Sequence, residues 1–262
     1  MDHLTTHWVQ TFFSGLMLET LPWMASDEQT SAEAAFLVKT LAPLPGARIV
    51  DVPSGDGRLA LALAAQGYDV TGVDLTPEFV EEARLAAEER SLPATFHERD
   101  MRDLPWPGEF DHAFCFGNSF GYFDDTGNKA YLQAMHDILR SNGRFVLETG
   151  LAAESIFAKP LQRRWYPCGN MYFLHETQYD PAAGQLTSSY TLIREAQIER
   201  KQAVYRVYTF RELAQMFRDV GFSGVVGYGS LQQEPYQLGS AGLWLVATKV
   251  SIEVAGRMSE RS

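Results

Sequence analysis

Acids and glycines recur where short apolar runs end. The run Ala47 to Val52 carries one acid, Asp51, and leads into Pro53-Ser54-Gly55-Asp56-Gly57. The β-branched run Tyr68 to Val73 ends at Asp74, and the short run Ala94 to His97 is followed by Asp100 and Asp103. Gly55 and Gly57 have no side chain to obstruct a ligand lying against the backbone, and a helix starting there offers free N–H groups to an electronegative group. Asp74 is placed to accept hydrogen bonds from vicinal ribose hydroxyls. Together these residues describe a site for an adenosine-containing cofactor.

Two cofactors compete for it. Gly55-Asp56-Gly57-Arg58-Leu59-Ala60 satisfies the dinucleotide pattern G-x-G-x-x-G/A followed by an acid, which would suit a nicotinamide-dependent oxidoreductase. Asp51 discriminates, because a carboxylate at the end of the first strand repels a pyrophosphate and attracts a cation. S-adenosyl-L-methionine brings both an ammonium and a sulfonium, so electrostatics favours it.

The elements that must position these groups alternate. Ala47 to Val52 reads as a strand, and Arg58 to Ala65, rich in Leu and Ala, as the helix after the glycine turn. Tyr68 to Val73 is a second strand, and Thr76-Pro77-Glu78 supplies the N-cap, first-turn proline and first-turn acid of a helix running to about Arg90. Further strands are expected at Ala94 to His97, Phe110 to Phe116 and Arg144 to Thr149, with a helix at Asn128 to Leu139 and a turn at Ser141-Asn142-Gly143. Consecutive βα units imply a parallel sheet. Beyond Gly150 the extended segments Asn170 to Gln178, Gln185 to Arg194 and Gln202 to Val207, with a turn at Asp180 to Gly184, read as an inserted antiparallel flap. A helix capped by Thr209 and stopped by Gly221, then strands at Gly224 to Tyr228 and Leu243 to Lys249, complete the chain.

The 262 residues carry a net charge of −11, which leaves no broad positive field for a phosphate backbone and argues against nucleic acid. Neither a basic, apolar leader nor an 18-residue apolar window occurs, so export and membrane insertion are not expected. Two cysteines, Cys115 and Cys168, form no disulfide framework or four-ligand zinc site. A cytoplasmic protein without a metal is the expectation.

Ile49-Val50-Asp51-Val52-Pro53-Ser54-Gly55-Asp56-Gly57-Arg58, followed by Gly67 to Pro77 with Val73-Asp74, strongly resembles the class I S-adenosylmethionine-dependent methyltransferases. The likeness runs over roughly residues 30 to 149 and resumes at 208 to 249; Ser54 stands where many relatives have cysteine. The resemblance implies an α/β, Rossmann-like, seven-stranded and mostly parallel sheet with an antiparallel last strand, helices on both faces and an inserted antiparallel β flap. It implies that Asp51 and the backbone of Ser54, Gly55 and Gly57 hold the methionine part of the cofactor, Asp74 its ribose, and Leu75 the adenine. Asp100, or its neighbour Asp103, would receive the adenine amino group, with Met101 on the ring or simply in the core. Phe116, Gly117 and Asn118 would line the approach to the methyl group. Asn118 to Tyr122 occupies the place of an N-P-P-Y motif that grips flipped bases elsewhere, but both prolines are missing.

The resulting organisation is a helical lid at 1–30, a cofactor domain at 31–150 and 206–250, a substrate flap at 151–205 and a flexible tail at 251–262. The function expected is methyl transfer to an N or O atom of a small-molecule acceptor, by a monomer or homodimer; a non-catalytic adenosyl-binding module is the remaining alternative. Asn118 and Tyr122 can orient an acceptor. His175 is the best-placed of six histidines for a general base, with Glu176, Tyr166 and Tyr236 as other candidates. Trp8, Phe12, Phe13 and Trp23 could close over the cofactor, and Trp165, Tyr166, Tyr172 and Phe173 could roof the acceptor. Arg58 is expected to pair with an acid such as Glu33.

Overall fold

The computed structural model describes residues 4–161 and 163–250; the tail expected at 251–262 lies outside them. Seven strands, β1 (Arg48–Asp51), β2 (Asp69–Asp74), β3 (Ala94–Glu98), β4 (Phe110–Cys115), β5 (Leu139–Thr149), β10 (Phe222–Tyr228) and β11 (Leu243–Lys249), form one sheet in the order β10-β11-β5-β4-β1-β2-β3. The pairs among β1 to β5 are parallel, and β11 runs antiparallel to both β5 and β10. The chain winds outward from β1 to β3, then returns to β4 beside β1. That reversal opens a crevice at the carboxyl ends of β1 and β4, the place where open α/β sheets bind ligands.

Both faces of the sheet are covered, which is why its central strands carry apolar residues on both sides. Ile49, Val70, Phe114 and Val146 point to one side, against α2 (Asp27–Leu41), α3 (Arg58–Ala64) and α4 (Pro77–Glu89). Val50, Val73, Cys115, Phe145 and Leu147 point to the other, against α5 (Asp125–Ile138) and α7 (Phe210–Asp219). α5 starts three residues before the expected Asn128, because Asp124 caps it by accepting from the Gly127 N–H at 2.7 Å. Thr209 and Glu212 form a reciprocal capping box on α7. Ser141-Asn142-Gly143 does not separate two elements as expected. It lies within β5 where the β4 to β5 register shifts, with Asn142 at φ 67°.

The inserted flap is a separate four-stranded antiparallel sheet, β6 (Arg164–Cys168), β7 (Met171–Asp180), β8 (Gln185–Arg194) and β9 (Gln197–Arg206), in that order. β6 was not expected, and β9 begins five residues earlier than the sequence suggested. Asp180 makes the turn between β7 and β8 by accepting from the Ala182 N–H at 2.9 Å. The helix α1 (Leu4–Phe12) and a 3-10 helix (Gly15–Trp23) lie across the flap. Charged groups of the flap hold them: Lys201 donates to Thr11 O and Ser14 Oγ, Glu199 accepts from the Leu16 N–H, and Arg194 pairs with Glu19 at 2.6 Å.

Gly57 opens α3 at φ 79°, and a Cβ there would meet the Phe96 ring at 2.8 Å and Ala83 Cβ at 2.9 Å. Positive φ and overpacking each cost on the order of 1–3 kcal/mol. Gly57→Ala is therefore expected to lower the unfolding free energy by about 2 kcal/mol or more, read from urea denaturation; an unchanged midpoint would contradict this packing.

Candidate functional site

The loop after β1 is shaped by hydrogen bonds to β2. The Ser54 N–H donates to Val73 O at 2.8 Å, and the Gly55 N–H donates to Asp74 Oδ2 at 2.8 Å. The other oxygen of Asp74 accepts from the Thr76 N–H at 2.8 Å, which fixes the start of α4. One carboxylate thus joins the glycine turn to the second helix. Burial raises the Asp74 pKa even though these N–H donors work in the opposite direction.

Above this loop lies a cavity of about 720 Å³, within the range of small-molecule and cofactor sites. Asp51, Ser54, Gly55, Asp74, Leu75, Asp100, Met101, Phe116, Gly117, Asn118, Tyr122 and His175 all stand on its wall. Gly57 does not: it faces Phe96 and Ala83, so it shapes the turn from behind rather than touching the cavity. Asp51 is buried at the end of β1, and that burial pushes its pKa well up, with Asp74 and Asp56 adding to the shift and Arg58 opposing it. Arg58 pairs with Glu33 at 2.6 Å, as expected. Asp100 and Asp103 separate cleanly: Asp100 is on the wall, held by Arg102 at 2.6 Å, whereas Asp103 lies off it and pairs with Arg99 at 2.9 Å.

Glu148, at the end of β5, is a wall residue that sequence reasoning missed. Its Oε2 accepts from the Gly117 and Asn118 N–H groups at 2.8 and 3.2 Å, and so holds the loop after β4 in its left-handed turn, with Asn118 at φ 59°. Asn118 Oδ1 in turn accepts from the Gly150 N–H at 2.5 Å. Desolvation raises the Glu148 carboxyl from 4.5 to about 7, against the two N–H donors. The available signal was an acid inside the apolar run Phe145-Val146-Leu147-Glu148, at the same strand end as Asp51.

The far wall belongs to lid and flap. Tyr166 and Phe173 are paired across β6 and β7 and face the cavity, whereas Trp165 and Tyr172 are exposed at 64% and 59% and face away. Strand alternation therefore admits two of the four expected aromatics. Phe13 and Trp23 reach the wall; Trp8 and Phe12 pack instead on Tyr122, Tyr205 and Tyr190. Tyr122 is buried, donates to Ser119 Oγ at 3.4 Å and has its pKa raised by burial, so it stays protonated. Among the proposed bases, Glu176 pairs with Arg163 and Tyr236 hydrogen-bonds Ser155, both off the wall. His175 stacks on Tyr190 with ring centroids 4.7 Å apart at 4°. Its Nε2 is buried with no partner among the described residues, and burial with the nearby Arg164 lowers its pKa, favouring the neutral form.

Residues 49–143 match the family described as a methyltransferase domain. The ubiquinone biosynthesis O-methyltransferase of Xanthomonas campestris is 35% identical over 117 residues, 44% of this chain and 48% of that protein. A glycine/sarcosine N-methyltransferase of Aphanothece halophytica is 24% identical over 90% of this chain and 87% of its own length. An S-adenosylmethionine-dependent methyltransferase structure from Clostridium acetobutylicum superposes with a TM-score of 0.73 at 15% identity, covering 90% of this chain and 97% of that one. Residues 49–143 thus match a methyltransferase domain, and the chain shares the fold of S-adenosylmethionine-dependent methyltransferase structures. It spans about half the length of the first curated relatives it matches. No cluster of His, Cys, Asp and Glu suited to a metal, and no helix long and apolar enough to cross a membrane, occurs among the described residues.

A carboxyl whose folded pKa is raised favours the folded state at low pH and loses that contribution as pH climbs through the raised value. Measured against Glu148→Gln, the unfolding free energy of the wild type should therefore fall between pH 4.5 and about 7. A difference that stays level across that window in chemical denaturation would refute the assignment.

Proposed function

We propose that this chain is an S-adenosylmethionine-dependent methyltransferase that moves a methyl group to a nitrogen or oxygen atom of a small-molecule acceptor. The observation that carries this reading is the row of acids, buried Asp51 and Asp74 and half-buried Glu148, at the ends of β1, β2 and β5 on one cavity wall. Buried carboxylates demand a cation, and a dinucleotide pyrophosphate would meet repulsion from the same groups. When bound, the cofactor supplies an electrophilic methyl carbon: the acceptor lone pair forms a bond to it as the carbon–sulfur bond breaks and leaves its electron pair on sulfur.

Asp51 and Glu148 would meet the cofactor's positive charges, with the backbone of Ser54, Gly55 and Gly117 around its methionine part. Asp74 retains free lone pairs for the ribose hydroxyls beyond its two backbone partners. Leu75 and Met101 would pack on the adenine, and Asp100 would accept from its amino group. Asn118 and Tyr122 would orient the acceptor, and neutral His175 would take its proton where one must leave. Lid and flap would align the two reactants and keep water away. The named activities of the relatives include both O and N acceptors, which supports a small molecule of either kind. Two free, buried cysteines support a reducing, cytoplasmic setting.

S-adenosylmethionine should raise the thermal midpoint while NADH leaves it unmoved; the reverse would favour an oxidoreductase. Asp74→Ala should weaken S-adenosylhomocysteine at least about tenfold in isothermal titration, and unchanged affinity would remove Asp74 from the site.

A further inference from the structure

The cavity wall divides by charge. Its acids and arginines, Asp51, Arg58, Asp74, Asp100 and Glu148 among them, all stand on the sheet domain. Among the described residues, lid and flap bring none to the wall: their contribution is Phe13, Trp23, Tyr166, Phe173, His175 and Tyr190 with nine other neutral residues, Gln10, Thr20 and Gln29 among them. The wall arginines are each already paired, Arg58 with Glu33, Arg102 with Asp100 and Arg99 with Asp103. The charged half answers the cofactor. The other half is a neutral aromatic chamber.

The aromatic groups are ordered by the sheet that carries them. His175 and Tyr190 are directly paired across β7 and β8 and stack in parallel, and Phe173 stands 5.4 Å from Tyr190 and 6.1 Å from Tyr166. These rings offer flat apolar surface. The one polar atom of these rings that is buried and lacks a partner among the described residues is His175 Nε2. A buried orphan acceptor is costly until something donates to it.

Resting on the methyltransferase reading, we propose that the acceptor is an uncharged, planar aromatic molecule bearing a hydroxyl group, seated against Phe173 and Tyr190 with its O–H donating to His175 Nε2. In the transfer the hydroxyl proton passes to Nε2, the oxygen lone pair forms the new bond to the methyl carbon, and the broken carbon–sulfur bond leaves its pair on sulfur. The products are a neutral aryl methyl ether and an imidazolium that returns its proton to water. An acceptor with a carboxylate finds no free cation on this wall and would be buried uncompensated. An aliphatic amine would be held as its ammonium by the ring faces, the form that has no lone pair to give.

The test is fluorescence titration of the full chain, saturated with S-adenosylhomocysteine at about pH 6, with 7-hydroxycoumarin and with its 3-carboxylate, a ring system of the same shape carrying a charge. The neutral phenol should bind one site and the carboxylate at least about tenfold more weakly. Phe173→Leu and His175→Gln should each weaken the neutral probe about tenfold while leaving S-adenosylhomocysteine affinity within about twofold. Equal or tighter binding of the carboxylate, or of glycine in competition, overturns the proposal, as does indifference of the phenol to both substitutions. Failure of S-adenosylhomocysteine itself to bind is a separate result, which overturns the methyltransferase reading beneath the proposal.

Discussion

The carboxylate of Asp74 is the interaction on which the site depends. It is buried at the end of β2, and its two oxygens accept from the backbone of Gly55 and of Thr76, one on each of the loops that border the cavity floor. Without it, the glycine turn after β1 and the first turn of α4 would have no common anchor. Burial makes the arrangement electrostatically tense, since it raises the pKa that the N–H donors lower. With only two backbone donors on its oxygens, the carboxylate keeps lone pairs for the hydroxyl groups of a ligand.

The same logic extends along the sheet. Asp51 at the end of β1 and Glu148 at the end of β5 are both driven toward their neutral forms by desolvation. The low-dielectric setting depends on the lid and flap, whose aromatic inner faces cover the cavity and whose tethers, the Lys201 hydrogen bond to Ser14 and the Arg194–Glu19 ion pair, lie off its wall. The sheet domain therefore presents charge and the covering layers present shape. That division lets one cofactor fold serve many acceptors by changing what is inserted after β5.

Much of this was legible in the sequence because the signals are local. Asp51 to Gly57 and Val73-Asp74 combine strand ends, a glycine turn and acids within single βα units, and of these Asp51, Ser54, Gly55 and Asp74 stand on the cavity wall whereas Gly57 does not. What was hidden depends on packing between distant segments. β6 was missed because Arg164-Trp165-Tyr166-Pro167-Cys168 is short, contains a proline and becomes a strand only by edge pairing with β7. The first half of β9, Gln197 to Lys201, is rich in charge and lacks a strand's apolar alternation, yet Glu199 and Lys201 hold the lid. Glu148 was read only as part of a strand, since its role as an anchor for Gly117 and Asn118 appears once β4 and β5 are side by side. Which of the flap aromatics faces inward followed from register, which composition does not encode.

The central claim is that Asp51 and Glu148, strand-end carboxyls whose pKa desolvation raises, ionise to receive a cationic adenosyl cofactor. Proton linkage tests it most directly. Isothermal titration of S-adenosylmethionine at about pH 6.5 in buffers of different ionisation enthalpy should show net release of protons on binding, approaching about one per site, with Glu148 as the chief source. Binding without proton exchange, or with proton uptake, would contradict the account.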